Sequence, residues 1–345
     1  MQRSINGLWY RGGPGAVLLE PLSWLYRGAT GVRRALYASG WLAMQRVERP
    51  VVVVGNLTVG GTGKTPLVAW LAERLQERQL TVGIVSRGYG RSDDSPRLVE
   101  SDSSWRDVGD EPLLLHQRTG CATVVSADRV AGARMLAERG VDVILADDGL
   151  QHLRLARDCE IVVVDGSRGF GNGRLLPAGP LREPARNAAD ADVIVINGAP
   201  EHASLAMLAQ LGGDSLVQMT LAPGHARPVG GGSESRPVES FRGRRVHAVA
   251  GIGNPARFFA DLRAQGLDIA EHPFADHHPF VAGDLEFGDD APVLMTEKDA
   301  VKCRTFANDR WWYVPVSARF TEVHANAVLE RVIGSLRFAG ADKVK

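Results

Sequence analysis

Apolar and polar positions along residues 50–200 repeat in an order that predicts alternating strands and helices. The first apolar run, at 50–54, ends at the turn residues Gly55 and Asn56 and is typical of a buried parallel strand. Further strands are predicted at 81–85, 123–126, 141–146, 160–164 and 192–196, with helices at 65–77, 110–118 and 128–138. This alternation predicts an α/β fold with a doubly wound, mostly parallel sheet, which binds ligands at the carboxyl ends of its strands.

The pattern loosens between residues 201 and 240 and becomes regular again afterwards. Pro223, Pro228 and the glycine run 230–232 predict loops or a linker there. Strands predicted at 246–250, 292–295 and 310–315, with a helix at 258–265, indicate a second, smaller α/β domain. The predicted units are an N-terminal helical segment (1–48), a P-loop core (49–200), the linker (201–240), the smaller domain (241–320) and a closing helix with its tail (321–345).

The first 48 residues combine apolar bulk with positive charge. Glu20, Arg27 and Arg33 interrupt the apolar residues long before the roughly 20 that a membrane-spanning helix requires. No short apolar run ends in a small-residue cleavage site, so a secretory signal is not expected. An amphipathic helix of this kind either packs on the domain or lies in a lipid interface, and the sequence pattern leaves both open.

Composition adds little beyond this local charge. The chain of 345 residues has 40 Lys and Arg against 40 Asp and Glu, so no nucleic-acid partner is expected. Only residues 1–50 are clearly basic, with seven Arg, including Arg3 and Arg11, against two Glu. Cys121, Cys159 and Cys303 are far apart, so they predict neither a disulfide framework nor a zinc site, and a reducing compartment fits them best.

The segment that joins the first strand to the first helix reads T-V-G-G-T-G-K-T, and this is the position of a phosphate-binding loop. Small residues let backbone N–H groups turn toward phosphate oxygens, and the helix N-terminus favours an anion. Lys64 is expected to reach the β- and γ-phosphates of a nucleoside triphosphate, and the Thr65 hydroxyl to bind Mg²⁺. Thr58 replaces the usual first glycine. The predicted nucleotide-binding residues are Thr58, Val59, Gly60, Gly61, Thr62, Gly63, Lys64 and Thr65.

A carboxylate at the end of a neighbouring strand is expected to complete the Mg²⁺ site. The candidates are the pair Asp147 and Asp148, after one apolar strand, and Asp165, after the next. Two adjacent acids are costly at such a place unless a cation or a base shares the site, which favours the pair. Asp165 is more often a residue that caps a turn.

Several motifs together resemble one family. The loop with its flanks, from Gly55 to Pro66, looks like the atypical P-loop of tetraacyldisaccharide 4′-kinase of the lipid A pathway, in which Thr58 is the family's own residue. Other motifs follow in family order: S-R-G-Y-G at 86–90, G-D-E-P at 109–112, D-D-G-L-Q-H at 147–152, L-P-A-G-P-L-R-E-P at 176–184, D-H-H at 276–278 and T-E-K-D at 296–299. The resemblance extends from about residue 10 to 335 and is far more specific than a P-loop alone.

The resemblance implies a reaction and a location. The γ-phosphoryl group of ATP would pass, with Mg²⁺, to the 4′-hydroxyl of a tetraacylated glucosamine disaccharide 1-phosphate, forming the bisphosphorylated lipid A precursor. The enzyme would be peripheral, at the cytoplasmic face of a Gram-negative inner membrane, and no protein partner is implied. Because an acceptor with four acyl chains stays in the bilayer, the resemblance favours the interfacial role for the N-terminal helix.

The resemblance also assigns roles to single residues. The family's Asp–His pair falls on Asp110 and His277 and is expected to take the proton of the attacking hydroxyl. Residues expected to contact the substrates or to orient groups behind the metal carboxylates are Arg87, Tyr89, Arg129, Gln151 and His152.

Two further residues have open alternatives. Glu183 is expected either in the Mg²⁺ shell or as a partner of Arg182, and Lys298 either at the nucleotide or in a structural ion pair.

Two other functions compete with the kinase. A P-loop switch or metal-chaperone GTPase would need a guanine-specifying N-K-x-D sequence, and T-E-K-D at 296–299 lacks its Asn. A non-catalytic membrane adaptor would not need Asp110, Asp147, Asp148 and His277 together.

Overall fold

A computed structural model describes residues 7–10, 13–89, 91, 93–211 and 215–338. Within these ranges the chain forms two α/β lobes, a large lobe on a nine-stranded sheet and a small lobe on a five-stranded sheet. The predicted fold class is confirmed. Arg3, Arg11, Gly90 and the tail beyond residue 338 belong to the predictions above but lie outside the described residues.

The strands, in chain order, are β1 Val51–Gly55, β2 Val82–Ser86, β3 Arg97–Leu98, β4 Ala122–Val125, β5 Val143–Asp147, β6 Cys159–Asp165, β7 Val193–Asn197, β8 Leu216–Pro223, β9 Arg227–Pro228, β10 Arg245–Ala250, β11 Asp268–Pro273, β12 Val293–Thr296, β13 Trp311–Val314 and β14 Val316–Phe320. The α-helices are α1 Pro14–Leu18, α2 Glu20–Ala38, α3 Lys64–Gln76, α4 Trp105–Val108, α5 Asp110–Thr119, α6 Arg129–Glu138, α7 Ala206–Leu211, α8 Pro255–Ala264, α9 Glu297–Cys303 and α10 Glu322–Phe338.

The large sheet has the order β14-β8-β7-β6-β1-β5-β2-β4-β3. Strand β1 lies between β5 and β6 and pairs with both in parallel, so that Val54 is opposite Asp147 on one side and Ile161 on the other. The loop that leaves β1 and the acids that end β5 and β6 therefore meet at one edge of the sheet, as the rule for doubly wound folds requires.

Helices on both faces of the large sheet explain the continuous apolar runs of its central strands. Helices α3 and α10 bury one face through Leu67, Leu71 and Val332, all fully buried. Helix α6 covers part of the other face through Val130 and Leu136. The packed sheet therefore keeps the residues at its carboxyl edge in fixed positions.

The region 201–240 differs from the predicted linker, because strand β8 extends the large sheet there. Val217 and Met219 face the core while Gln218 and Thr220, which alternate with them, are exposed, so the strand shows alternation instead of an apolar run. Strand β14, predicted to belong to the smaller domain, pairs antiparallel with β8 in the large sheet. The small lobe is therefore an insertion at 224–315, which enters and leaves at one corner of the large sheet.

The small lobe directs the ends of two parallel strands at the P-loop. Its sheet has the order β11-β10-β12-β13-β9, with β10 and β12 adjacent. The turn after β10 comes so close to the loop after β1 that a Cβ atom added at Gly253 would lie 3.0 Å from the Gly61 backbone nitrogen. The two lobes therefore contact each other at the predicted phosphate-binding loop.

Helix α2 lies on the large lobe with one side only. Ser23 Oγ donates to the Leu175 carbonyl at 2.9 Å, and Glu20 pairs with Arg174 at 2.7 Å. Its other side exposes large apolar side chains, with Trp24 65% and Leu25 72% exposed. No helix within the described ranges has the length and apolar character to cross a membrane.

Candidate active site

At two positions, the loop after β1 has a backbone conformation that only glycine adopts easily. Gly60 and Gly63 have φ of 105° and 95°, in the left-handed region. A Cβ atom at Gly63 would also lie 2.6 Å from Asn197 Nδ2, which donates to the Thr62 carbonyl at 2.9 Å. The end of β7 thus holds the loop in place at the N-terminus of α3.

Lys64, the first residue of α3, points back over this loop. Its Nζ donates to Asn56 Oδ1 at 3.0 Å and lies 3.4 Å from Asp148 Oδ1. Asn56 in turn donates through Nδ2 to the Gly60 carbonyl at 3.2 Å. The ammonium is therefore held by oxygen acceptors at the point where phosphate oxygens are predicted to bind.

Arg168 contacts this loop, although the sequence analysis did not predict it. Its guanidinium pairs with Asp165 Oδ2 at 3.1 Å and donates to the Gly61 carbonyl. Asp165 also accepts from the backbone N–H of Ser167 and of Arg168, so it caps the turn after β6. Asp165 thereby has the turn-capping role predicted as its alternative to metal binding. An Arg three residues after a strand-ending Asp was the available signal.

The two acids after β5 have opposite electrostatic environments. Asp147 is 1% exposed, accepts from Ser86 Oγ at 3.3 Å, and has no partner for Oδ1 within the described part of the chain. Burial, with the nearby charge of Glu111, raises its pKa to about 7. Burial also acts to raise the pKa of Asp148, but Lys64 and Arg182 outweigh it and lower the pKa to about 2. Asp148 is therefore a fixed anion, whereas Asp147 titrates near neutrality.

Burial next to these acids lowers the pKa values of Arg129 and His152. Arg129 is 1% exposed, and Nη1 donates to the Ser126 carbonyl at 2.5 Å. Burial lowers its pKa to about 10, although Asp147 acts in the other direction. Burial and then the charges of Arg129 and Arg87 lower the pKa of His152 to about 4, which leaves the imidazole neutral at pH 7. Arg87 itself is exposed.

Gln151 and Glu183 form a network beside the cleft instead of inside it. Gln151 Nε2 donates to Glu183 Oε1 at 3.1 Å, and Gln151 Oε1 accepts from Arg182 at 3.2 Å. Glu183 pairs with Arg34 of helix α2 at 2.9 Å. Arg182 pairs with Asp148, with both carboxylate oxygens at 3.1 Å. The alternative of an Arg182–Glu183 pair is wrong, and the metal role of Glu183 stays a prediction.

Asp110 and His277 come from different lobes and meet across the interface. Asp110 begins helix α5 of the large lobe, and His277 lies in the loop after β11 of the small lobe. His277 Nδ1 is 3.0 Å from each carboxylate oxygen of Asp110. Tyr89, which is exposed, lies over the imidazole with 5.0 Å between ring centroids. The resemblance predicted this pair, and the fold brings it together.

The pair is polarised by its surroundings. Burial alone would raise the pKa of Asp110, but the hydrogen bond from His277 and the charges of Lys298 and Lys302 lower it to about 2. For His277, burial acts to lower the pKa, and the bond to Asp110 outweighs it, so the pKa is raised. The pair therefore holds a carboxylate next to an imidazole that retains its proton more strongly than usual.

Lys298 lies in a network of charges beside this pair. Its Nζ donates to Glu111 Oε1 at 2.9 Å and to Asp276 Oδ1 at 3.2 Å, and lies 3.3 Å from His277 Nε2. Burial acts to lower the pKa of Lys298, but the surrounding acids raise it. This geometry matches the predicted alternative of a structural ion pair.

Many of these groups line one cleft of about 730 Å³ between the lobes, whereas Asp110, Asp147, Arg129, His152, Gln151 and Glu183 lie behind its lining. Predicted residues that line it are Val59, Gly60, Gly61, Thr62, Gly63, Lys64, Thr65, Tyr89, Asp148, His277 and Lys298. Trp9 and Tyr10 of the N-terminal segment, together with Arg168, also line it. Among the described residues, no group of three or more His, Cys, Asp or Glu is arranged to hold a metal ion.

A family model described as tetraacyldisaccharide-1-P 4′-kinase matches residues 15–334. The chain belongs to this family. A tetraacyldisaccharide 4′-kinase from Alkalilimnicola ehrlichii is 52% identical over 91% of this chain and 92% of its own length. Another, from Xanthomonas euvesicatoria pv. vesicatoria, is 49% identical over 94% of this chain and 95% of its own.

A solved structure has the same fold over nearly its full length. It is a crystal structure of an "apo" form of LpxK from Aquifex aeolicus in complex with ATP, with a TM-score of 0.77 and 29% identity, covering 93% of this chain and 99% of that one. The predicted membership of the tetraacyldisaccharide 4′-kinase family is confirmed, and the chain is a kinase. The switch, metal-chaperone and adaptor alternatives are not favoured.

Proposed function

We propose that this kinase transfers the γ-phosphoryl group of ATP to the 4′-hydroxyl of a tetraacyldisaccharide 1-phosphate in lipid A biosynthesis. The names of the relatives and the ATP complex of the Aquifex aeolicus protein support the two substrates. The observation that carries the proposal is the shared cleft, with Lys64 on one side and the Asp110–His277 pair beside it. A donor site and a proton acceptor at one cleft are what phosphoryl transfer to an alcohol needs.

The nucleotide phosphates belong at the loop from Thr58 to Thr65. There the backbone N–H groups and the start of helix α3 favour an anion. Lys64 exchanges its present partners, Asn56 and Asp148, for phosphate oxygens when ATP binds. A cation already placed near a carboxylate needs little rearrangement for this, which lowers the cost of forming the transition state.

The residues at the end of β5 fit Mg²⁺. Asp147 has a buried carboxylate oxygen without a hydrogen-bond partner among the described residues, as expected of a group whose partner is a cation. Mg²⁺ in kinase sites binds one or two carboxylates together with substrate phosphates, and Asp147, Asp148 and the Thr65 hydroxyl would hold it here. When bound, it supplies positive charge to the transferring phosphoryl group. Glu183 remains a further candidate, at the far side of Gln151.

The proton of the acceptor hydroxyl passes to the Asp110–His277 pair. A sugar hydroxyl is a weak nucleophile, so its proton must leave as the phosphoryl group arrives. Asp110 is an anion held by His277, and the Nδ1 contact lets the two groups share the proton. We assign Tyr89, whose ring lies over His277, and the exposed Arg87 to the acceptor. Arg129, which is buried, supports Asp147 from behind.

We place the enzyme peripherally on the cytoplasmic face of the inner membrane, and the exposed apolar side of helix α2 supports its contact with a lipid surface. Leu22, Trp24 and Leu25 are each more than half exposed, as in helices that lie in a lipid interface. Trp9 and Tyr10, which line the cleft, continue this surface toward the active site. An acceptor with four acyl chains reaches the cleft along such a surface without leaving the bilayer.

The test is incubation of purified protein with labelled ATP, Mg²⁺ and the disaccharide monophosphate in detergent. Wild type is expected to form the bisphosphate, and Lys64→Ala to lose at least about 10²-fold in rate, the usual loss for one preorganised charge contact. Arg78→Ala, which removes a surface cation just beyond the end of α3, is the matched control and should keep full activity. Bisphosphate formation by Lys64→Ala at the wild-type rate contradicts the assignment of the site.

A further inference from the structure

Lys302 is a fully buried lysine at the interface between the lobes. It lies on helix α9, four residues after Lys298, and its side chain is 0% exposed. Its Nζ is 2.8 Å from Asp299 Oδ1 and 3.7 Å from Asp110 Oδ2. A buried ammonium is strongly unfavourable unless carboxylates compensate it, so this position needs an explanation.

The surroundings of Lys302 fix its charge in one place. Asp299 Oδ2 accepts from the Gly251 backbone N–H at 2.8 Å and from Thr296 Oγ1 at 2.6 Å, so this carboxylate cannot turn away. The Nζ atom also lies 5.0 Å from the centre of the Phe280 ring. The small lobe thus carries a rigid cation, and the carboxylate that this cation faces in the large lobe is Asp110.

We propose that Lys302 is a positioning residue of the phosphotransfer site, a cation from the small lobe that keeps the Asp110 carboxylate ionised and oriented. The inference rests on the proposed function, because it assigns a partner to the base of that reaction. Lys302 acts through Asp110 and does not touch either substrate. The contact also joins the small lobe to the N-terminus of α5 in the large lobe, so Lys302 contributes to the interface between the lobes.

In the described part of the chain three cationic groups face Asp110, and they differ in what else they contact. His277 shares the proton, and Lys298 is tied to Glu111 and Asp276 at the cleft. Lys302 contacts Asp110 from the protein interior and does not line the cleft, so substrates cannot replace it. Removing this charge leaves the cleft unchanged, which makes its effect separable from substrate binding.

The expected signature is a change in the pH profile. The active form needs the Asp110–His277 pair without its additional proton, so activity falls on the acid side as the pair takes up that proton. A cation beside the pair disfavours this uptake, and its removal raises the pKa of whichever group receives the proton. The acid limb of kcat/KM should therefore move to higher pH by about one unit, in the range found for one nearby charge.

The experiment compares kcat, the KM for ATP and the pH profile of wild type with those of Lys302→Met. A second variant, Lys302→Met combined with Asp299→Asn, removes both buried charges and thus avoids an uncompensated carboxylate if the single variant folds poorly. Val332→Ala, in the core of the large lobe, is the control for lost stability without lost charge. Its acid limb should coincide with that of wild type.

A shifted acid limb with a lower kcat and an ATP KM within about twofold of wild type supports the positioning role. An unchanged acid limb in either folded Lys302 variant overturns it, even if activity falls uniformly with stability. The proposed function fails separately, if the wild-type protein itself forms no bisphosphate.

Discussion

At the scale of single residues, Asp147 lowers the stability of the fold but provides a carboxylate suited to binding a cation. A carboxyl group that is 1% exposed has lost its hydration, and one of its oxygens lacks a hydrogen-bond partner among the described residues. Such a group is retained where a cation needs it. Its pKa is raised above the ordinary value of 3.8 because burial penalises the charged form. The unfolded chain therefore ionises at lower pH than the folded protein.

Asp147→Asn should stabilise the protein without Mg²⁺ while it impairs catalysis. Because the folded pKa is raised to about 7, the acid costs stability progressively from about pH 4 to pH 7, and little is lost below that window. In EDTA the variant should gain at least about 2 °C in Tm at pH 8, which roughly 1 kcal/mol gives in a protein of this size, and much less at pH 4.5. An equal gain at both pH values in thermal unfolding would contradict this account.

Asp110 gives a second prediction at this scale. Asp110→Asn keeps the shape of the side chain and removes the base, so kcat should fall by roughly 10²–10⁴. Binding of ATP, measured by calorimetry, should change little because the P-loop is untouched. Asp107→Asn, on the exposed neighbouring helix α4, is the control. Unfolding of Asp110→Asn would instead mean that the carboxylate serves to hold the start of α5.

At the scale of secondary-structure elements, helix α2 is held to the large lobe by few polar contacts and exposes its apolar side. Replacing Leu22, Trp24 and Leu25 together by Ser should weaken sedimentation with liposomes of anionic lipid by about tenfold or more, because each residue contributes apolar area that the lipid buries. Ala29→Ser with Ala38→Ser, both at exposed positions on the same helix, is the matched control. Unchanged sedimentation of the triple variant would remove the membrane role of this helix.

The sequence predicted those elements whose pattern is uniform. Strand β1 is a run of Val buried on both faces, and the P-loop is contiguous, so both could be located from neighbouring residues alone. Strand β8 alternates buried and exposed positions next to Pro and Gly residues, and its pattern resembles a loop. Strand β14 follows β13 after the single residue Pro315, and nothing in that stretch indicates that the chain passes from one sheet to the other.

The site was predictable to the extent that motifs are local. Asp110 and His277 are 167 positions apart and on different lobes, so only the resemblance to a family connected them. Arg168 and Lys302 were missed because their roles depend on contacts across the fold. The one sequence signal for Lys302 was its spacing of three from Asp299 on the same short helix, the spacing of a helical ion pair.

At the scale of the whole molecule, the close contact between the lobes can be tested at one glycine. A methyl group in Gly253→Ala would come within 3.0 Å of the Gly61 nitrogen, so the small lobe must shift by some tenths of an ångström. Since the Asp110–His277 contact crosses the same interface, kcat should fall by about tenfold, a modest part of what a 1 Å misplacement can cost. Gly283→Ala, in the same lobe with open space around it, should behave as wild type in the kinase assay. Equal activity of the two variants would mean that the interface tolerates such a shift.

The insertion of residues 224–315 between two neighbouring strands also determines how the protein can be made in the cell. On the ribosome, the inserted lobe emerges before β14 and α10, which cover strand β8 and one face of the large sheet. The nascent chain therefore carries an open sheet edge and an apolar face that α3 covers only in part while the rest of the chain is still being translated, a state prone to aggregation. Chaperones that bind extended apolar segments can bind this edge and face during that interval. The interval ends when the segment up to residue 338 has left the exit tunnel and can pack on the sheet.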